Sequence, residues 1–260
     1  MATGRTTLKN YRIYVDGYDL SGYSRSFGPL TCTYEEGVDD AVTFDIKKTW
    51  PGNATIGMGT LNGIFDNTAT SGIHARLAAQ SQKRNIMIAV GIIAPPVNND
   101  PCFVGQFVQT NYETGPSENP VTATINFQNT SAAAAVGSLN YGRPWGVLLH
   151  ALAAETAANT AVGLDQLAGT TKGGYMMYHI TAAAGTGAKT GVIKVQHSTT
   201  TNLDGSFSDL LSSGTLNCAA GLSGVVALAK GATVGRYIRF QTGFTLASSI
   251  TYALAFVRGN

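Results

Sequence analysis

The sequence predicts a mainly β protein built as two successive β units, the first with one flanking helix. Three observations carry that expectation. Short runs alternate apolar and polar residues: in Tyr237–Gln241, Tyr237, Arg239 and Gln241 share one face and Ile238 and Phe240 the other, the period of two that a strand imposes. These runs are bounded throughout by clusters of Gly, Ser, Thr and Asn, and the chain holds 31 glycines. Only the segment Asp66–Gln82 offers the apolar spacing of a helix.

Taken in order, Tyr11–Val15 reads as a short strand ended by Asp16-Gly17, a tight-turn pair. Leu30–Glu35 and Ala41–Ile46 alternate and are expected to form a second hairpin. Trp50-Pro51-Gly52-Asn53 is expected to break any strand, because Pro donates no ladder bond and Gly-Asn favours turns. Ile56–Phe65 reads as a strand diluted by glycines. Asp66, Thr68 and Thr70 offer N-cap oxygens to the helix, Ile73 and Leu77 its apolar stripe, and Lys83 and Arg84 cations beyond its last turn. Ile86–Ile93 is nearly all apolar, as a buried strand would be, and Pro95-Pro96 stops it. Cys102–Tyr112 and Val121–Phe127 form a hairpin around a polar loop, Glu113–Pro120.

Asn129–Tyr141 consists of small residues without periodicity and reads as the connection to a second unit, giving a division into residues 1–146 and 147–260. In the second unit, Tyr175–Ile180, Gly191–His197, Thr215–Cys218, Val225–Leu228, Tyr237–Phe240 and Ile250–Val257 read as strands at the spacing of a β-sandwich, of immunoglobulin-like or jelly-roll type. Ser208–Leu211 reads as a possible helical turn.

Composition narrows the function. Only 12% of residues are charged, about half the roughly 25% of an ordinary domain. The deficit is filled by Gly, Ala, Ser and Thr, a surface cheap to desolvate and suited to a protein that meets other protein over much of its area. No apolar run reaches the ~18 residues that cross a bilayer. Residues 1–146 hold 10 basic and 11 acidic residues, and 147–260 hold 7 and 4, a net +3. Neither half is a basic arm for nucleic acid. Cys32, Cys102 and Cys218 are far apart and odd in number, which fits a reducing compartment. Met1–Lys9 has no apolar core of a signal peptide, so a cytosolic origin is expected.

The side chains that could carry chemistry do not form sets. His74, His150, His179 and His197 lack metal-ligand spacing to one another or to Cys, Asp or Glu. Gly57–Gly63 departs from the phosphate-loop pattern. Glu35, Glu36, Asp39 and Asp40 read as a solvated turn, and Asp165, Asp204 and Asp209 as loop carboxylates that a calcium ion could in principle use. No serine-nucleophile elbow is present. The reading is a non-enzyme without metal or cofactor. Among the aromatic residues of the second unit, Phe207, after Asp204-Gly205-Ser206, is the candidate for exposure as a surface-binding residue. The segment Lys47–Thr60 is expected to be a long, poorly ordered loop that orders against neighbouring copies, with Lys47, Lys48, Trp50, Pro51 and Asn53 as the inter-subunit contact.

Val15-Asp16-Gly17 followed by Leu20-Ser21-Gly22-Tyr23 resembles the start of the tail tube (major tail) proteins of long-tailed bacteriophages. Thr60-Leu-Asn-Gly-Ile-Phe-Asp66 and Gly72-Ile-His-Ala-Arg-Leu-Ala78 resemble a later strand-to-helix passage of the same family. The likeness covers roughly residues 8–147. The second half, with Lys194–Ser198, Asp204–Leu210 and Arg236–Phe240, looks like the extra β-sandwich domains such proteins carry on their outer face. The resemblance implies a virion protein, assembled in the host cytoplasm, whose six copies close a ring and whose rings stack into a tube that conducts DNA without binding it specifically. It implies tape-measure, tail terminator and baseplate proteins as partners. It places the second half outside the tube, where weak contact with host-surface glycan is possible. On this reading a chain ending near Trp145 should still form rings. The other function class is a capsid decoration or a host-glycan-binding adhesin.

Overall fold

The computed structural model describes residues 8–39, 48–69, 72–79, 82–115, 120–129, 143–185, 189–245 and 249–259. The first half contributes β1 (Tyr11–Val15), β2 (Tyr18–Asp19), β3 (Ser24–Phe27), β4 (Leu30–Asp39), β5 (Lys48–Met58), β6 (Thr60–Ile64), α1 (Ile73–Leu77), β7 (Lys83–Val90), β8 (Pro101–Gly115) and β9 (Thr122–Asn129). The second contributes β10 (Trp145–Glu155), β11 (Leu164–Asp165), β12 (Gly174–Ala184), β13 (Thr190–Ser198), β14 (Ser208–Ser212), β15 (Leu216–Asn217), β16 (Leu222–Ala227), β17 (Tyr237–Thr245) and β18 (Ser249–Arg258). The protein is mainly β, with antiparallel sheets and, among the described residues, one short α-helix.

One sheet runs through both halves, in the order β16-β12-β18-β10-β8-β7-β1-β2. β8 is the pivot. One of its edges pairs with β7 from Cys102 to Val108. The other pairs with β10 at Pro101–Phe103 and with β9 from Phe107 to Gly115. β9 carries β6, and β6 carries β3. The division at residues 146 and 147 therefore falls inside a strand, β10, whose first residues pair across it: Gly146 with Cys102 and Val147 with Pro101.

Period-two alternation explains why a single sheet can serve three cores. In β1, β7 and β8, Ile13, Val15, Ile86, Ile88, Phe103 and Phe107 face the core of the first half, closed by α1 and the ends of β5, β6 and β9. In β10, β12 and β18, Val147, Leu149, Met176, Tyr178, Tyr252, Leu254 and Phe256 face the core of the second half. There a second sheet, β11-β17-β13-β14, supplies Ile193, Val195, Ile238 and Phe240. The intervening residues of the same strands point the other way. Tyr14, Met87, Ala89, Cys102 and Val104 of the first half meet Leu148, Tyr175, Met177, Ala253, Ala255 and Val257 of the second. The strands between the halves are thus buried on both faces, which is why they read as continuous apolar runs.

The ends of the curved sheet are tied together by polar contacts. Gly17 donates its N–H to His179 Nδ1 on β12 (2.9 Å), and Asn85 donates to Ser223 Oγ on β16 (2.9 Å). Asp16 accepts from Asn85 N (2.8 Å) and pairs with Arg84 (3.0 Å). The Asp16-Gly17 turn has φ of 48° and 82°, the left-handed pair that a two-residue hairpin requires. A Cβ on Gly17 would lie 2.5 Å from the Gly221 carbonyl carbon. Gly17→Ala is therefore expected to cost about 3 kcal/mol, backbone strain plus a main-chain clash. Gly214→Ala has a similar φ of 68° in open space, and should cost only the strain, about 1 kcal/mol. Urea denaturation of the two variants measures the difference.

Several expected elements are corrected. The helix is confined to Ile73–Leu77, although Ile73 and Leu77 are buried as its spacing predicts. Asp66 Oδ1 instead accepts from Thr68 N (2.6 Å) and Asp66 O from His74 N (3.0 Å), a local side-chain turn that competes with helix. Ile92 and Ile93 lie beyond β7 and are exposed. Ser208–Leu211 belongs to a strand, β14, which pairs with β13; the helical turn precedes it at Asp204–Ser206. Ala41–Ile46, the expected partner of Leu30–Glu35, lies outside the described residues. Leu30–Glu35 pairs with β5. Residues 130–141 of the expected connection also lie outside the described residues.

Candidate functional site

β4 and β5 form a two-stranded ribbon that shares no ladder with the main sheet among the described residues. It grows out of the β3–β6 pair. Gly28 donates to Thr60 O (2.5 Å), Gly59 donates to Pro29 O (3.2 Å), and beyond these residues the strands leave the sheet. The crossing is made of glycines for steric reasons: a Cβ on Gly28 would stand 2.6 Å from Thr60 N, and one on Gly59 3.0 Å from Gly28 Cα. This break also splits the single strand expected over Ile56–Phe65.

The base of the ribbon is amphipathic. Leu30 opposes Met58 and Cys32 opposes Ile56, and these four pack on the first core, where Ile56 and Met58 are buried. Thr31, Thr33 and Thr55 on the other face are exposed, as is Tyr34. Each of the two buried side chains contributes roughly 1.5–3 kcal/mol of hydrophobic anchoring. Ten residues of β4 extend about 33 Å at ~3.3 Å per residue. Isolated two-stranded ribbons are marginal in water, and the outer edges of this one offer main-chain groups for further pairing.

Trp50, Pro51 and Asn53 are therefore strand residues, and the expectation of a loop from Lys47 to Thr60 is corrected. Between the pairs Tyr34–Ala54 and Glu36–Pro51, β4 advances by two residues and β5 by three. Gly52 and Asn53 thus occupy a bulge, a feature that accommodates a residue without ladder partners, and Pro51 sits on a strand with an open edge. Trp50 stands opposite Gly37 and Lys48 opposite Asp39 in the register. Of the expected contact residues, Lys48, Trp50, Pro51 and Asn53 are brought onto one strand; Lys47 lies outside the described residues, as does Asp40 of the acidic group. Glu35, Glu36 and Asp39 belong to β4 rather than to a turn.

The other candidates are engaged structurally. Phe207 is half-buried rather than exposed, with its ring 4.1 Å beneath the buried Arg239 guanidinium. Asp165 pairs with Arg236, Asp204 with Arg239 and Asp209 with Lys194. The Arg236 contacts hold the Asp165 carboxyl down at about 2. No group of three or more His, Cys, Asp or Glu among the described residues could hold a metal ion. His74 Nδ1 meets Tyr112 Oη (2.9 Å), and His197 Nδ1 accepts from Gly235 N (2.9 Å). His150 sits in an irregular stretch of β10 with both ring nitrogens on oxygen acceptors. Nδ1 lies 3.1 Å from Tyr252 O and Nε2 2.8 Å from Glu155 Oε1. Asn159 donates to the same Glu155 oxygen (2.8 Å), and the imidazole stacks on Tyr252 with centroids 4.0 Å apart.

No protein-family model matches the sequence, and a search among curated proteins finds no match. Among solved structures, the chain is similar to the SPP1 Dit (gp 19.1) protein, described as a paradigm of the hub adsorption apparatus of phages that infect Gram-positive hosts. That likeness has a TM-score of 0.30 and 12% identity, and covers 95% of this chain and 99% of that one. A structure of the infectious bursal disease virus Gx strain is similar with a TM-score of 0.25 and 8% identity, covering 90% of this chain and 57% of that one. Likeness at this level assigns no role.

Proposed function

We propose that the chain is a structural protein of a phage tail that assembles with copies of itself through the β4–β5 ribbon. The observation that carries this reading is the ribbon itself: ten and eleven residues long, fastened to the body by its base, and outside the main ladder. Pairing of its edges with those of neighbouring copies would continue the sheet from subunit to subunit and remove open edges by closure. The low charge of the chain lowers the cost of burying the surrounding surface. The near-balanced charge of residues 1–146 suits a conduit, because a wall that held phosphates would arrest DNA. In its finer form the proposal is a ring of six copies, stacked into a tail tube, with tape-measure, terminator and baseplate proteins at its ends.

Electron microscopy and light scattering of the purified chain test it. Wild type is expected to form rings or tubes. Replacing residues 35–53 by Asn-Gly joins Tyr34 to Ala54 through a two-residue hairpin turn and spares the Leu30, Cys32, Ile56 and Met58 anchors. This variant should unfold cooperatively within about 1 kcal/mol of wild type, and should remain monomeric. Rings formed by the trimmed chain, or a wild type that stays monomeric when concentrated, would exclude the ribbon as the assembly element.

A further inference from the structure

Where β8 and β10 begin and β18 ends, the two halves enclose a cleft of about 650 Å³, within the range of small-molecule sites. Its floor includes Val147 and Phe256, both buried. Trp145 stands on its rim, exposed to 38% and braced edge-on against Phe103 at 5.4 Å. Asn99, Gln166 and Thr170 add amide and hydroxyl groups, Arg143 and Arg258 add two guanidiniums, and among the described residues no Asp or Glu lines the cleft.

Arg258 is the informative residue. Its terminal nitrogens donate to main-chain carbonyls, Nη1 to Ala168 and Nη2 to Gly235 (2.5 Å) and Arg236 (3.0 Å). Its Nε is buried without a hydrogen-bond partner. The neighbouring carboxylate, Asp165, is gripped by both Nε and Nη2 of Arg236 (2.7 and 2.6 Å). Arg258 is thus held rigidly among neutral acceptors, and burial, with Arg143 adding to it against the opposing pull of Asp165, pushes its pKa down to about 10. A partly buried cation whose neighbouring carboxylate is committed to another arginine is costly. The second cleft, about 460 Å³ around His150, lacks this imbalance: His150 is matched by Glu155 and Arg239 by Asp204.

We propose that the Trp145–Arg258 cleft binds an acidic sugar, a pyranose that carries a carboxylate. The carboxylate supplies the missing anion, and charge-assisted contacts to guanidinium are the strong ones. The apolar face of a sugar ring suits the exposed indole, as an amphipathic ligand suits an amphipathic aromatic. The hydroxyls match the amides of Asn99 and Gln166 and the Thr170 hydroxyl. The cleft lies outside the ribbon, so the proposal stands or falls independently of self-assembly.

The test uses full-length chain carrying Trp50→Phe, which leaves Trp145 as the single indole, since the sequence has two tryptophans. Glucuronate, glucose and inorganic phosphate are titrated while Trp145 fluorescence and heat of binding are followed. Glucuronate should perturb the emission saturably and bind at least about tenfold more tightly than either other probe, the increment of one charge-assisted contact combined with ring stacking. Calorimetry on Trp145→Ala and Gln166→Ala, each with an unchanged melting temperature, should show glucuronate binding lost and weakened severalfold, respectively. Equal binding of glucose and glucuronate, phosphate binding as tight as glucuronate, or no saturable response to glucuronate would each overturn the assignment.

Discussion

A chain that ends at Trp145 is expected to be insoluble or molten, not a ring-forming subunit. The cut removes β10, β12, β16 and β18 and strips the shared core of half its walls. Tyr14, Met87, Ala89, Cys102 and Val104, all buried in the whole protein, would form a contiguous apolar face on the order of several hundred Å², at the upper limit of what a soluble monomer shows. The freed edge of β8 at Pro101–Phe103 would add a template for edge-to-edge association. Gly17 and Asn85 would lose His179 and Ser223 as partners. The soluble fraction, near-ultraviolet circular dichroism and dye binding of residues 1–145 measure the outcome. A soluble fragment with a sharp thermal transition would show that the first core suffices, and would restore the division at residues 146 and 147 that the sequence suggests.

That division was attractive because residues 129–141 look like a linker, and the signal against it was present in the strands. Ile86–Val90, Tyr175–Ile180 and Ala253–Val257 carry almost no polar residue on either face. Such runs belong to strands covered on both sides, and three of them imply a layer more than two separate sandwiches need. By contrast, Tyr237–Phe240 alternates, and it is found in the outer sheet, where only one face meets the core. β1 was legible to the residue because Asp16-Gly17 permits little but a tight turn. The ribbon was not legible, because Pro51-Gly52-Asn53 breaks a strand in any regular ladder and is tolerated only where a bulge and an open edge absorb it. The cleft was hidden for another reason. Arg258 is placed by carbonyls of Ala168, Gly235 and Arg236, and nothing in local sequence brings those loops to the end of β18.

Acidification should weaken the same seam. His179 is fully buried on β12, its Nδ1 accepts from Gly17 N (2.9 Å), and its Nε2 has no hydrogen-bond partner. The ring is therefore the neutral tautomer with its proton on Nε2, and a second proton would turn the acceptor facing Gly17 into a donor. Burial lowers its pKa to about 3, against about 6.5 in the unfolded chain. Between those values the unfolded state binds a proton that the folded state refuses. Stability from this group is thus complete above pH ~6.5 and declines as pH falls, by about 2 kcal/mol at pH 5 and about 3 kcal/mol at pH 4. His197, also lowered by burial and by Arg258, acts in the same direction. Asp165, held down by its hydrogen bonds to Arg236, and Asp209, held down by the Gln196 amide and then by Lys194, lose their contribution only below the usual carboxylate range of about 4, so pH 5 isolates the histidines. Urea midpoints of wild type and His179→Gln at pH 7.5 and pH 5 decide the matter, since the Gln carbonyl can still accept from Gly17 but does not titrate. Wild type should lose about 2 kcal/mol more than the variant over this interval. Equal losses would mean that the folded protein protonates His179 as readily as the unfolded chain does, and that burial against the Asp16-Gly17 turn does not penalise its charge.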